Sequence, residues 1–213
     1  MNLGLLIILI SLLGTASNWL NWRFLNYKIV RLLYYLGAVI HETSHAIFCF
    51  LTGAEIIEIN FFSKQPHVIH LKSKLPFVGE MLISLAPIIG GLFFIFLINR
   101  YYLTSSFIIP NLRNWDDIIA APFKILAQIN LLSWKSWIMI LFFLNVGAMI
   151  GPSWQDLKNI WPIMIILLFF SYPLFDYLGL LAVVLILINI LIQISFIIII
   201  KIKKLIFGSL IFN

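Results

Sequence analysis

The chain of 213 residues is 62% hydrophobic and only 10% charged, with a mean hydropathy of +1.08, values that exclude an ordinary soluble globular domain. Its net charge of +6 is spread over block ends and loops, where it would meet anionic lipid headgroups; no basic patch interleaved with aromatics gives reason to expect a nucleic-acid partner. Cys49 is the single cysteine, which excludes an intrachain disulfide framework and any multi-cysteine zinc site.

The apolar residues fall into blocks close to the roughly 20 residues needed to cross a hydrocarbon core of about 30 Å. Lipid leaves spanning segments the choice of helix or closed barrel. The expected architecture is therefore an all-α membrane protein: one domain over residues 1–213, integral to the membrane and multi-pass, a bundle of about six transmembrane helices with a small interfacial β-hairpin.

The first block, residues 2–16, has the length of a signal-peptide core and ends in small residues, but lacks a basic leading region, so it reads as an uncleaved first helix. The second, 29–52, contains the pentad His41-Glu42-Thr43-Ser44-His45. Next comes "AEIIEINFFSKQPHVIHLKSKLP", two short β-rich runs around a Ser63-Lys64-Gln65-Pro66 turn, which predicts the hairpin. Its strand edge must lie at the interface or against protein, because an open edge is not viable in bare lipid. The third block, 78–98, is followed by a long connection containing "WDDIIAAPFKILAQINLL", an interfacial helix started by Asn114 or Asp116 and interrupted by Pro122. The fourth block is 134–161. Pro162 is expected to separate it from the fifth, 163–181, which Pro173 should kink, and the sixth is 182–200. The seven tryptophans fall near proposed helix ends or in the connecting loop, as an interfacial aromatic belt requires.

The pentad carries the chemistry. On a helix, His41 and His45 are four residues apart, so both rings leave one face and can grip a single tetrahedral ion. Zinc is the natural candidate, with Glu42 as general base toward the attacking water. Ionisable groups inside a span cost several kcal/mol unless paired or facing a polar cavity. "HETSH" therefore predicts a hydrated pocket as well as a metal.

A catalytic zinc takes three protein ligands and keeps one position open. Asp156, in "NVGAMIGPSWQDLKNIWP", is at a depth compatible with the pentad if the second to fourth spans alternate; Asp176, in "SYPLFDYLG", is the rival. Asn145 stands eleven residues before Asp156, nearly on the same face if the Gly151-Pro152 kink is mild. It could hydrogen-bond substrate or serve as interhelical glue. His67 and His70 flank the hairpin turn, where solvated histidines are ordinary. Cys49 reads as core packing, Glu80 as a charge favoured at a helix start, and Asp116 and Asp117 as cap residues.

Three segments resemble the site-2 protease-like intramembrane zinc metalloproteases. "HETSHAIFCFLTGAEIIEI" is similar to that family's HExxH helix running into a Thr-Gly turn and a strand. "GEMLISLAPIIGG" is similar to its small-residue helix, and "NVGAMIGPSWQDLKN" to the helix supplying an aspartate ligand. The resemblance implies His41, His45 and Asp156 as Zn2+ ligands, Glu42 as general base, and a peptide bond in or near a transmembrane segment of a membrane-embedded protein as substrate. It also implies that the 54–75 hairpin docks substrate by strand pairing. The family's commoner Asn-x-x-Pro-x-x-Pro-Leu-Asp-Gly pattern is absent. A second expectation therefore stands beside the endopeptidase: a non-proteolytic metal-binding membrane protein, either a transporter or an inactive client-binding regulator.

Overall fold

The computed structural model describes residues 2–24, 27–61, 63, 66–103, 108–112 and 114–207. Among these residues, seven helices and one two-stranded sheet follow in chain order: α1 (Leu3–Phe24), α2 (Tyr27–Thr52), β1 (Ile56–Asn60), β2 (His67–His70), α3 (Val78–Ile98) ending in a π-turn over Asn99–Leu103, α4 (Trp115–Leu126), α5 (Trp134–Ile150), α6 (Trp154–Leu167) and α7 (Pro173–Phe207). The expected hairpin turn at Lys64 and Gln65 lies outside the described residues. Its strands pair antiparallel, with Ile59 opposite Val68 and Asn60 opposite His67, and the register shifts between Ile56 and Glu58.

Three helices, α1, α3 and α7, are long and apolar enough to cross a membrane, or four spans if the bent pair α5 and α6 counts as one, among the described residues. The expectation of about six changes for identifiable reasons. Residues 163–181 and 182–200 are not two spans: Pro173 is the first residue of one 35-residue helix, where its missing N–H costs nothing and its fixed φ suits the first turn. Pro162 sits inside α6 rather than ending a span. The block 134–161 breaks at Gly151-Pro152-Ser153, and its two helices meet at 71°. Gly151 is extended (ψ 117°), as the residue before a proline prefers. In α2 the length suffices, but "HETSH" lowers the hydropathy.

Small residues let α2 approach its neighbours. A Cβ built on Gly37 would lie 2.5 Å from the Asn145 carbonyl oxygen of α5, and one on Gly90 of α3 would lie 2.0 Å from Ser44 Oγ. Such close backbone approach is the usual way helices associate where burial against lipid supplies little drive. The helix α2 ends because Gly53 adopts φ 69°; Ala54 N–H then reaches back to the Cys49 carbonyl at 2.8 Å, a Schellman closure that turns the chain into β1. Pro122 lies within α4 without interrupting it, and the face Ile118, Ala121, Pro122, Ile125 is buried.

The core runs between α1, α3, α5 and α7, with Leu6, Ile10, Ile88, Phe143 and Leu185 fully or almost fully buried. Six of the tryptophans, Trp19, Trp115, Trp134, Trp137, Trp154 and Trp161, are exposed, consistent with a belt; the Trp22 side chain lies outside the described residues. A buried uncharged cluster ties α1, α2 and α7: Gln193 Nε2 lies within hydrogen-bonding reach of Ser17 Oγ (2.8 Å), Asn21 Oδ1 (3.0 Å) and the Tyr34 hydroxyl, and Asn189 Nδ2 donates to the Leu144 carbonyl at 2.9 Å.

Candidate metal centre

The helix α2 brings His41 and His45 to one face, with ring centroids 5.0 Å apart. Asp156 joins them from the first turn of α6. One donor atom from each of the three lies within 4.8 Å of the other two, and His45 Nε2 is 3.6 Å from Asp156 Oδ1. That distance is too long for a good hydrogen bond and close to the roughly 3.3 Å separating two ligands of a tetrahedral ion bound at about 2.0–2.1 Å. The group could hold a metal ion.

The surrounding shell fits the same role. His45 Nδ1 lies 2.9 Å from the Ile83 carbonyl of α3, so this nitrogen carries the proton and Nε2 presents its lone pair. That carbonyl has no helical donor one turn on, because the residue there is Pro87. Asp156 is oriented by a capping box: its Oδ2 accepts the Ser153 N–H at 2.8 Å, while its own N–H donates to Ser153 Oγ at 3.2 Å. One carboxylate oxygen is thereby used by the backbone and the other is aimed at His45. Reciprocal capping of this kind is worth about 1 kcal/mol to the helix, so the start of α6 and the position of Oδ1 are fixed together. The His41 ring lies beside the backbone of Ala148 and Met149 of α5, although its buried Nδ1 makes no hydrogen bond of good geometry.

These residues line a cavity of about 410 Å³ together with Glu42, which is 8% exposed and set against the backbone of Val68 in β2. The other two histidines also line it, so all four in the chain share one cavity. His67 and His70 are half-buried there rather than solvated on a loop, and His67 Nε2 is 3.5 Å from Glu58 Oε1. Glu80, in the first turn of α3, accepts the Ser73 N–H at 2.8 Å and borders the same space.

Two sequence candidates stand elsewhere. Asn145 does not line the cavity: its Oδ1 accepts the Gly37 N–H at 2.8 Å and its Nδ2 donates to the Leu141 carbonyl at 2.7 Å, binding α5 to α2. The mild kink that would keep Asn145 and Asp156 on one face is instead a 71° break. Asp176 lies in the first turn of α7, where Ser171 Oγ donates to its Oδ2 at 2.6 Å, away from the histidine pair. Cys49 is packed with Ala54 and Ile83.

Sequence reasoning missed Ser153, Ile83, Ser84 and Asn159. The Ser-x-x-Asp spacing of 153 and 156 is a legible capping signature, and Asn159 follows Asp156 by three residues, on the same helical face. Nothing local marks Ile83 or Ser84, whose partners are distant in sequence. No protein-family model, curated protein or solved structure matches this chain.

Proposed function

We propose that this chain is a multi-pass integral membrane zinc endopeptidase of the site-2 protease-like kind, hydrolysing a peptide bond in or near a transmembrane segment of another protein. The observation that carries the reading is the meeting of His41, His45 and Asp156 beside the buried carboxyl of Glu42 in one cavity. Two imidazoles and one carboxylate are a donor set suited to zinc with an open coordination position. When bound, the metal would polarise the scissile carbonyl and acidify a water.

The chain's own groups supply the rest. Glu42 takes the proton of the attacking water as its oxygen bonds to the carbonyl carbon, then delivers that proton to the leaving amine nitrogen as the C–N bond breaks. Ile83 and Ser153 keep His45 and Asp156 in place, which lowers the reorganisation needed during reaction. Strand β2 borders the cavity through His67, Val68 and His70, and the sheet could receive an extended substrate as a third strand, with its hydrogen bonds made to backbone rather than to particular side chains.

The test is cleavage of a membrane reporter by the full chain in proteoliposomes. Wild type should cleave; Glu42→Gln should retain bound zinc and lose cleavage by at least a hundredfold. Cleavage unaffected by Glu42→Gln would overturn the mechanism. A second reading is favoured by His67, His70 and Glu80, which add further metal-seeking groups along the same cavity: a metal-transporting membrane protein. It requires zinc uptake into vesicles that His45→Ala abolishes and Glu42→Gln spares.

A further inference from the structure

We propose that Asn159 holds the backbone of the substrate beside the metal site, a role that rests on the peptidase reading above. An extended peptide offers one N–H and one C=O per residue, and the side-chain group complementary to both is a primary amide. Among the described residues lining the cavity, Gln155 and Asn159 carry one. Gln155 is exposed. Asn159 is half-buried and oriented: its Nδ2 donates to Ser84 Oγ at 2.9 Å, and Ser84 is itself only 4% exposed. Because a serine hydroxyl both donates and accepts, the tie holds whichever way the amide is turned.

That bond uses one amide hydrogen. A second N–H and the carbonyl remain for a ligand in the cavity. Position fits as well as chemistry. Asn159 follows Asp156 by three residues, about 4.5 Å along the helix, or little more than one residue of an extended chain at about 3.3 Å. Ser84 is adjacent in α3 to Ile83, whose carbonyl fixes His45. One turn of α3 therefore sets both a metal ligand and the amide. Contact with backbone alone would make the site tolerant of substrate sequence one or two residues from the scissile bond.

The experiment compares backbone-modified substrates in proteoliposomes containing the full chain. Each amide flanking the scissile bond of a synthetic transmembrane reporter is replaced in turn by an ester, which removes one N–H. Wild type should lose about tenfold in kcat/KM at one position, the scale of one lost hydrogen bond. Asn159→Ala should lose about tenfold on the all-amide reporter, keep its zinc content, and no longer respond to the ester at that position; Asn159→Leu, which preserves volume, should behave alike. A variant within twofold of wild type on the all-amide reporter, or losses that simply multiply at every ester position, overturns the proposal. In that event, cleavage by wild type but not by Glu42→Gln leaves the peptidase reading standing. A wild type that cleaves no reporter overturns both.

Discussion

His45 is held by a carbonyl that Pro87 leaves unclaimed. Within α3 the Ile83 oxygen would ordinarily accept the N–H of residue 87; proline has none, and the imidazole Nδ1 of His45 takes the place at 2.9 Å. Pro87→Ala restores the helical donor. The helix should gain stability while His45 shares its acceptor, so zinc affinity is expected to fall about tenfold, the lower end of the range for lost outer-shell partners. Chelator competition and thermal unfolding of the apo protein, measured together, should move in opposite directions.

Ser153→Ala removes the hydroxyl that accepts the Asp156 N–H and leaves the Ser153 N–H to Oδ2 bond in place. The loss of one half of the capping box should cost about 1 kcal/mol in stability. Looser seating of Asp156 should lower zinc affinity about tenfold. A chelator titration unchanged from wild type would show that the cap does not orient the ligand.

Asp176→Asn and Asp156→Asn separate the two carboxylates. Asp176 is bonded to Ser171 at the start of α7, so its amide variant should keep near-stoichiometric zinc by elemental analysis. The Asp156 variant should lose most of its metal.

Gly37→Ala forces a methyl group to within 2.5 Å of the Asn145 carbonyl oxygen. Because the opposing atom is backbone, α2 and α5 must separate, at a cost of about 1–3 kcal/mol. His41 lies one turn beyond Gly37, so zinc affinity should fall with stability. Gly179→Ala is the control: the atoms nearest its Cβ belong to the buried Leu6 side chain of α1, which carries no site residue, so stability should fall while zinc affinity holds.

The pentad and the hairpin strands were legible because each depends on local pattern, four-residue spacing and alternation. Asp156 was reached through a depth argument and a family resemblance, with Asp176 as its rival, and the structure brings Asp156 to the histidine pair. The count of spans was not. Pro173 and Pro162 look alike in an apolar run, and whether a proline opens a helix or sits within one depends on what the preceding residues pack against. The role of Asn145 was equally invisible: eleven residues of helix would place it with Asp156, but the break at Gly151 sends the two side chains to different neighbours. His67 and His70 resemble ordinary loop histidines until β2 is laid against α2, a contact fixed by the Gly53 turn and the Ser73 hydrogen bond to the Thr52 carbonyl.

The bend between α5 and α6 also fixes depth. Seventeen residues of α5 are about 26 Å long, and fourteen of α6 about 21 Å. With α5 upright in a bilayer, a 71° bend leaves α6 nearly flat, adding only about 7 Å of travel. The pair together would just traverse a hydrocarbon layer of about 30 Å. Asp156, at the corner, would then sit within about two helical turns of one surface. On the peptidase reading, water would need to cross only that short distance to reach the histidine pair, and a substrate helix would have to surrender its last turns near that surface rather than at mid-membrane.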